Sequence, residues 1–351
     1  MRPLLPRLPR VPTRLYRWVA LLALLSVLLL IATGGWVRLS ESGLGCPTWP
    51  TCYAHQLVAK DSYHALVEFV NRCVITIVAV LIGCAVVGAV LAPRRRPDLI
   101  WLSVGLFAGY VLEAVLGGIT VLFKLAPELV AAHMIAALLL LTDAVVLHWR
   151  VARLGGEAPP ASKETRLLAR LTLLVLTAAI VIGTIVTGSG PHSGSNDASR
   201  LPFEFRSVAE LHAVVVMFLL GLLVAMWFVL RAGGATPRQL RAYELLLLTA
   251  VLQGAIGYTQ YFNGLPIDVV ELHILGAGIL VVAMVRFTLL VHGVPRRVAV
   301  APASPPSVSS VAPPVSSAAP PVSSAAGPAG SGAPAGVPAG GTRHERRRVE
   351  S

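Results

Sequence analysis

LEAVLGGIT, at 112–120, returns 140 residues later as LQGAIGYTQ, at 252–260. Each copy lies in an apolar run long enough to cross a bilayer, which takes about 20 mostly apolar residues in helical form. Outward from this pair the chain is a series of such runs. Uncharged stretches at 18–37, 73–93, 211–230 and 245–267 meet the length outright, and 171–196 meets it with its Gly-rich end taken as loop. Three more, 99–123, 129–149 and 272–294, carry one interior ionisable residue each: Glu113, Asp143 and Arg286. The 351 residues are 55% hydrophobic and 13% charged, against about a quarter charged in a soluble domain. The pattern predicts an all-α integral membrane protein with eight transmembrane helices.

The repeat orders those helices. Glu113 and Gln253, Gly117 and Gly257, and His133 and His273 are each 140 residues apart. His212 in helix 6 then has its counterpart in helix 2 at Asn71, 141 residues earlier. Helices 1 and 5 fit a longer offset, Thr33-Gly34 against Thr187-Gly188, so the first outer loop carries an insertion that includes Cys46 and Cys52. Four helices return a chain to its starting side, so the repeat is parallel. Two pseudo-symmetric four-helix bundles are expected, at 18–150 and 167–295, joined by a linker at 151–166.

The net charge of +12 is a topology signal. Lys and Arg crowd the amino-terminal tail (1–17), the 2/3, 4/5 and 6/7 loops, and the segment after helix 8. The other side has only Arg38, Lys60, Arg72, Lys124, Arg200 and Arg206. The positive-inside rule puts both termini in the cytoplasm of a multi-pass plasma-membrane protein. The first run has no small-residue cleavage site before the next polar loop and reads as a retained helix. Nucleic acid is excluded as a partner, because the basic residues form short clumps between spans rather than one folded face. The last segment, 298–351, is largely Pro, Ala, Ser, Val and Gly, with PPVSSAA twice in succession, and reads as a disordered cytoplasmic tail.

His133, His212 and His273 each fall within the first turns of an even-numbered helix entered from outside, at similar depth. Polar groups there are costly and face the bundle interior. Imidazoles from two facing helices are the usual axial ligands of a b-type heme. His212 and His273 make the complete pair, between helices 6 and 8. Any one of the three could instead be a hydrogen-bonded interhelical residue. The first half pairs His133 with Asn71, a poor iron ligand, which leaves an open position that a substrate can use. Glu68 lies three residues before Asn71, on the same helix face, where a carboxylate can move protons or simply favour the helix amino terminus. Glu210 and Glu271 precede their histidines by two residues and are expected to point away, toward the outer aqueous layer. His55, His64 and His192 read as outer-loop residues. Cys46 and Cys52 bracket CPTWPTC on the outer side, where a disulfide is permitted, as a structural bridge or a redox-active pair. Cys73 and Cys84 read as small buried residues. GSGPHSG after helix 5 has no Lys and no strand–helix context, so it is not a nucleotide cradle.

Over 15–295 the chain resembles the heme A synthases. The resemblance rests on TGGWVRLSESGLGCPTWPTC (33–52), VEFVNR (67–72), VTGSGPHSG (186–194) and the even-helix histidines. It implies an oxidoreductase that converts heme O to heme A, the cofactor of terminal oxidases, oxidising a ring methyl to formyl by successive hydroxylations. It implies that His212 and His273 hold heme b. His133 and Asn71 fall on the heme O side, with Glu68 in catalytic support. Heme O synthase and oxidase assembly factors are the implied partners, with the lipid bilayer. Two departures stand out. The family's helix 2 commonly reads E-x-x-H-R, whereas this chain has Asn71, which points to a one-ligand substrate site on His133. Some members also carry a second cysteine pair after helix 5, and this chain has none there. Two other classes compete: a b-type cytochrome exchanging electrons with quinone, which would need two fully ligated hemes, and a transporter, whose polar site belongs near the midplane.

Overall fold

In hydrocarbon a backbone must satisfy its own N–H and C=O groups, so long apolar runs become helices end to end. The computed structural model describes residues 10–46, 48–53, 62–92, 96–152, 159–195 and 198–293. Among these are eight helices: α1 (Thr13–Leu39), α2 (Tyr63–Val90), α3 (Pro97–Leu122), α4 (Pro127–Ala152), α5 (Lys163–Ser189), α6 (Phe205–Ala232), α7 (Pro237–Phe262) and α8 (Ile267–His292). All eight are long and apolar enough to span a membrane. The segment read as a tail, 298–351, lies outside the described residues.

Three helices overrun their apolar runs because local caps, not hydropathy, set their starts. Ser62 accepts the Ala65 N–H at 3.3 Å, so α2 begins well ahead of residue 73. His64, read as a loop residue, therefore sits in its first turn. Ser162 caps α5 through the Thr165 N–H at 3.2 Å. Thr236 and Gln239 form a reciprocal capping box on α7, with Pro237 at the first position. Arg14 and Arg17 are helical in α1, their stems apolar and their heads free to reach water.

The repeat is visible in the backbone. α3 and α7, like α4 and α8, are 26 residues long and start 140 residues apart. The turns between them match residue for residue. Lys124 and Leu125 have φ of 51° and 60°, and Gly264 and Leu265 have 73° and 61°. Leu125 N donates to Thr120 O, and Leu265 N to Gln260 O, both at 2.8 Å. The second copy places glycine where the left-handed conformation favours it, whereas the first strains a lysine into it.

Within each half the helices close a ring in chain order: α1–α2–α3–α4 and α5–α6–α7–α8, each last helix packing on its first. Helices on the ring diagonals, α2 with α4 and α6 with α8, do not approach one another closely. The halves meet through α1 with α8, α4 with α5, and α4 with α8. Exchanging each helix for its repeat partner maps this set onto itself, as a pseudo-two-fold axis at α4 and α8 requires.

The buried apolar residues gather at one end of both rings, the basal end, where odd-numbered helices begin. In the second half they are Ala169 and Leu176 of α5, 219–230 of α6, 243–250 of α7 and 280–291 of α8. The first half packs the same way. The distal end, where even-numbered helices begin, has a polar, part-buried interior. The outer faces are apolar, with Trp101 and Phe262 each 75% exposed, as lipid contact demands. Cys73 and Cys84 are on this face rather than buried. Lipid is as apolar as a helix interface, so small-residue character alone could not tell the two environments apart.

Candidate functional site

All three even-helix histidines stand at the distal end, and each is seated against a glycine of a neighbouring odd-numbered helix. A Cβ on Gly117 (α3) would lie 3.4 Å from Cε1 of His133, on Gly183 (α5) 3.2 Å from Cε1 of His212, and on Gly257 (α7) 3.1 Å from Cε1 of His273. The bare glycine surface lets each ring approach the adjacent helix closely.

One turn before two of these glycines sits a residue that lies against the same histidine. Gln253, four residues before Gly257, approaches Nδ1 of His273 at 3.1 Å through its Nε2 and also donates to the His273 carbonyl at 2.8 Å. Glu113, four residues before Gly117, puts Oε2 3.1 Å from Nδ1 of His133. Both are buried. A carboxylate at Nδ1 is how metal-ligating histidines are commonly held, the ring donating its N–H; the Gln253 amide nitrogen can only donate, so its contact restrains the His273 ring in position. The sequence showed these two residues 140 apart but not what they touch. The available signal was their i, i+4 spacing from the glycines, which puts each pair on one helix face.

His212 and His273 share the distal end of the second half on helices that stand apart across the ring diagonal. No group of three or more His, Cys, Asp or Glu forms a metal cage among the described residues. A bare ion would want more protein ligands than this pair offers. An iron already held by four porphyrin nitrogens wants one or two. The donor set, the separated diagonal helices and the glycine seats therefore fit a heme.

The first half is built differently. Asn71 Oδ1 accepts a hydrogen bond from the Thr33 hydroxyl of α1 at 2.7 Å. Its amide nitrogen is a donor and not a ligand, and its oxygen, already engaged, is a poor ligand for iron. Glu68 is 5% exposed, with both carboxylate oxygens engaged. Oε2 accepts from the Cys46 backbone N–H at 2.7 Å, and Oε1 from Arg72 at 2.6 Å. Arg72 also donates to the carbonyls of Thr48 and Pro50, each at 3.1 Å. Cys46 and Cys52 form a disulfide. This bridged loop brings Trp49 onto α3, where a Cβ on Gly118 would lie 2.6 Å from the indole. Glu68 thus anchors the loop across the distal end of the first half. Glu68, Asn71 and His133 share that end, but among the described residues no hydrogen bond or ion pair joins them to one another.

The two glutamates expected in the outer aqueous layer part company. Glu210 is exposed and pairs with Arg206 at 2.8 Å. Glu271 instead presses into the seam between the halves, where Gly35 of α1 leaves room for its Oε2. His192 joins two distal loops, its Nε2 3.1 Å from the Leu265 carbonyl.

A family model described as Cytochrome oxidase assembly protein (COX15-CtaA) matches residues 16–285. Curated relatives named Heme A synthase are similar over long stretches. That of Shewanella oneidensis is 25% identical over 311 residues, 74% of this chain and 91% of the relative. That of Alkalihalophilus pseudofirmus is 24% identical over 261 residues, 69% and 83% of the two chains. That of Symbiobacterium thermophilum is 38% identical over a shorter stretch of 126 residues, 34% and 40%.

Proposed function

The chain belongs to the Cytochrome oxidase assembly protein family (COX15-CtaA), and from that premise we propose that it is a heme A synthase. In this reading it takes heme O and oxidises one ring methyl to a formyl group. The observation that carries the reading is the inequality of two otherwise matching sites. One has histidines on both diagonal helices, and the other has a single histidine facing an asparagine already bonded to Thr33. A site ligated on both sides suits a resident cofactor. A site ligated on one side suits a substrate that arrives and leaves.

His212 and His273 would hold heme b, with Gln253 fixing the His273 ring and Gly183 and Gly257 seating the two imidazoles. When bound, this heme supplies one-electron transfer beside the substrate half. His133, fixed by Glu113, offers its imidazole to the iron of heme O. Asn71 presents a hydrogen-bond donor at the same end. Glu68 supports catalysis from the rim, as a carboxylate able to relay protons. The Cys46–Cys52 loop covers this end of the bundle.

The distribution of Lys and Arg supports a plasma-membrane orientation with both termini and the basal end cytoplasmic, and the site near the outer surface. Heme O synthase is the expected supplier of substrate, and oxidase assembly the destination of the product.

Co-expression with a source of heme O tests the activity. Extracted pigment is expected to contain the formyl heme, identified by its pyridine hemochrome and mass. Unchanged heme O in cells that accumulate the folded protein would leave an electron-carrying cytochrome instead. Gln253→Leu tests the support of the resident site. Losing such a partner typically weakens metal affinity about 10–100-fold, so heme should leave the purified variant faster by a factor in that range. A dissociation rate equal to the parent's would remove Gln253 from the site.

A further inference from the structure

Arg38 ends α1 in the first half but reaches across to the second. Its Nη2 donates to the Thr187 carbonyl of α5 at 2.8 Å. Its stem packs on Gly194 in the loop after α5, where a Cβ would lie 3.5 Å from the Arg38 Cγ. Nε is enclosed and has no acceptor. Among the described residues no carboxylate pairs with it; the ion pairs there use other residues. A guanidinium has five N–H donors in a planar fork suited to a carboxylate. One backbone carbonyl does not satisfy five donors, and the enclosed Nε is left without an acceptor although the residue as a whole is part-exposed.

Its position says which anion is missing from the account. Thr187 lies four residues after Gly183, on the same face of α5, and its hydroxyl donates to the Gly183 carbonyl at 2.8 Å. Gly183 is the seat of His212. Arg38 therefore stands about one helical turn, ~5.4 Å along α5, beyond the imidazole, toward the distal surface. A heme carries two propionate carboxylates on one edge of its ring. That edge avoids hydrocarbon and turns toward the surface, which brings a carboxylate to this level.

We propose that Arg38 is the counter-ion of a propionate of the heme held by His212 and His273. The heme of the second half is then bound across the seam, with one polar contact supplied by the first half. This rests on the reading of His212 and His273 as ligands of a resident heme.

The test uses the full chain, purified from cells that make heme b but no heme O. Arg38→Gln is expected to keep the low-spin spectrum, because both imidazoles remain. Heme transfer to excess apomyoglobin should accelerate about tenfold, equivalent to about 1.4 kcal/mol, and the midpoint potential should fall as a nearby positive charge is lost. Arg38→Lys keeps the charge but not the fork. It should hold the potential and lose part of the retention, and it serves the same measurements where Arg38→Gln does not accumulate. Reconstitution with iron protoporphyrin IX and with its dimethyl ester closes the cycle. The parent should prefer the free acid, and Arg38→Gln should lose that preference. Unchanged dissociation and potential in Arg38→Gln, or an undiminished preference for the acid, would overturn the proposal. So would a defect confined to added heme O, which would assign the carboxylate to the substrate. A His212→Ala variant that keeps the low-spin spectrum would instead overturn the underlying ligand reading.

Discussion

Alanine at His212 or His273 is expected to strip the purified protein of its low-spin heme spectrum, with bound pigment falling below about a tenth of the parent level. The expected size comes from the way the two rings are held. Each presses on glycine, and His273 is gripped by Gln253 at Nδ1 and at its own carbonyl. Nothing else within this donor set can take the vacated position, since no third His, Cys, Asp or Glu converges with them among the described residues. Loss of one axial imidazole leaves a five-coordinate iron, whose high-spin spectrum differs from that of a bis-histidine center. The fold should survive, because the apolar cores lie at the basal end, away from the rings. Circular dichroism of the variants should therefore match the parent. Alanine at His133 should keep the low-spin spectrum and stop product formation. A low-spin spectrum persisting in both second-half variants would end the assignment.

Glu68→Ala is expected to retain the resident heme and abolish heme A accumulation. The substitution leaves the Cys46 N–H and the Arg72 guanidinium without their acceptor. Removing one partner of a buried pair costs up to about 3–5 kcal/mol, and less here because Arg72 is part-exposed. That cost falls on the disulfide loop, because Arg72 also holds the Thr48 and Pro50 carbonyls. The loop then loses its seat over the first half, while α5–α8 are untouched. Glu68→Gln separates anchoring from proton chemistry. Its amide oxygen can still accept from the Cys46 N–H, but it cannot carry a proton as a carboxylate does. An inactive Gln variant with the loop in place, judged by protease resistance of the distal side, supports a chemical role. A Gln variant with full activity would make Glu68 a positioning residue. Normal heme A levels in Glu68→Ala would remove both roles.

The spans, the repeat and the three histidines were legible because each leaves a one-dimensional mark: a long apolar run, a 140-residue echo, a polar residue at a fixed place in a helix. What the sequence could not show was lateral. Glu113 and Gln253 were visible as an echoing pair, but their partners are on the next helix and no spacing within one segment names them. Arg38 counted as one more charge on the sparsely charged side, and only the packing of α1 against α5 turns it toward the second half. Glu271 was placed by rotation from His273, correctly facing away from it, yet away meant the seam with α1 and not water. Cys73 and Cys84 fail for a related reason: membrane helices are apolar on every side, so hydropathy cannot orient them.

The three cross-half contacts map onto themselves when each helix is exchanged for its repeat partner. Two separate copies of one four-helix unit, meeting face to face as an isologous dimer, would make contacts of this kind. In such a dimer a histidine-to-asparagine change would strike both copies at once and leave no permanent tenant in either. Joined in one chain, the copies can differ. With a heme held as proposed, Asn71 would loosen one pocket while His212 would keep the other closed around its guest, and the tandem linkage is what would let one protein be host and workshop together.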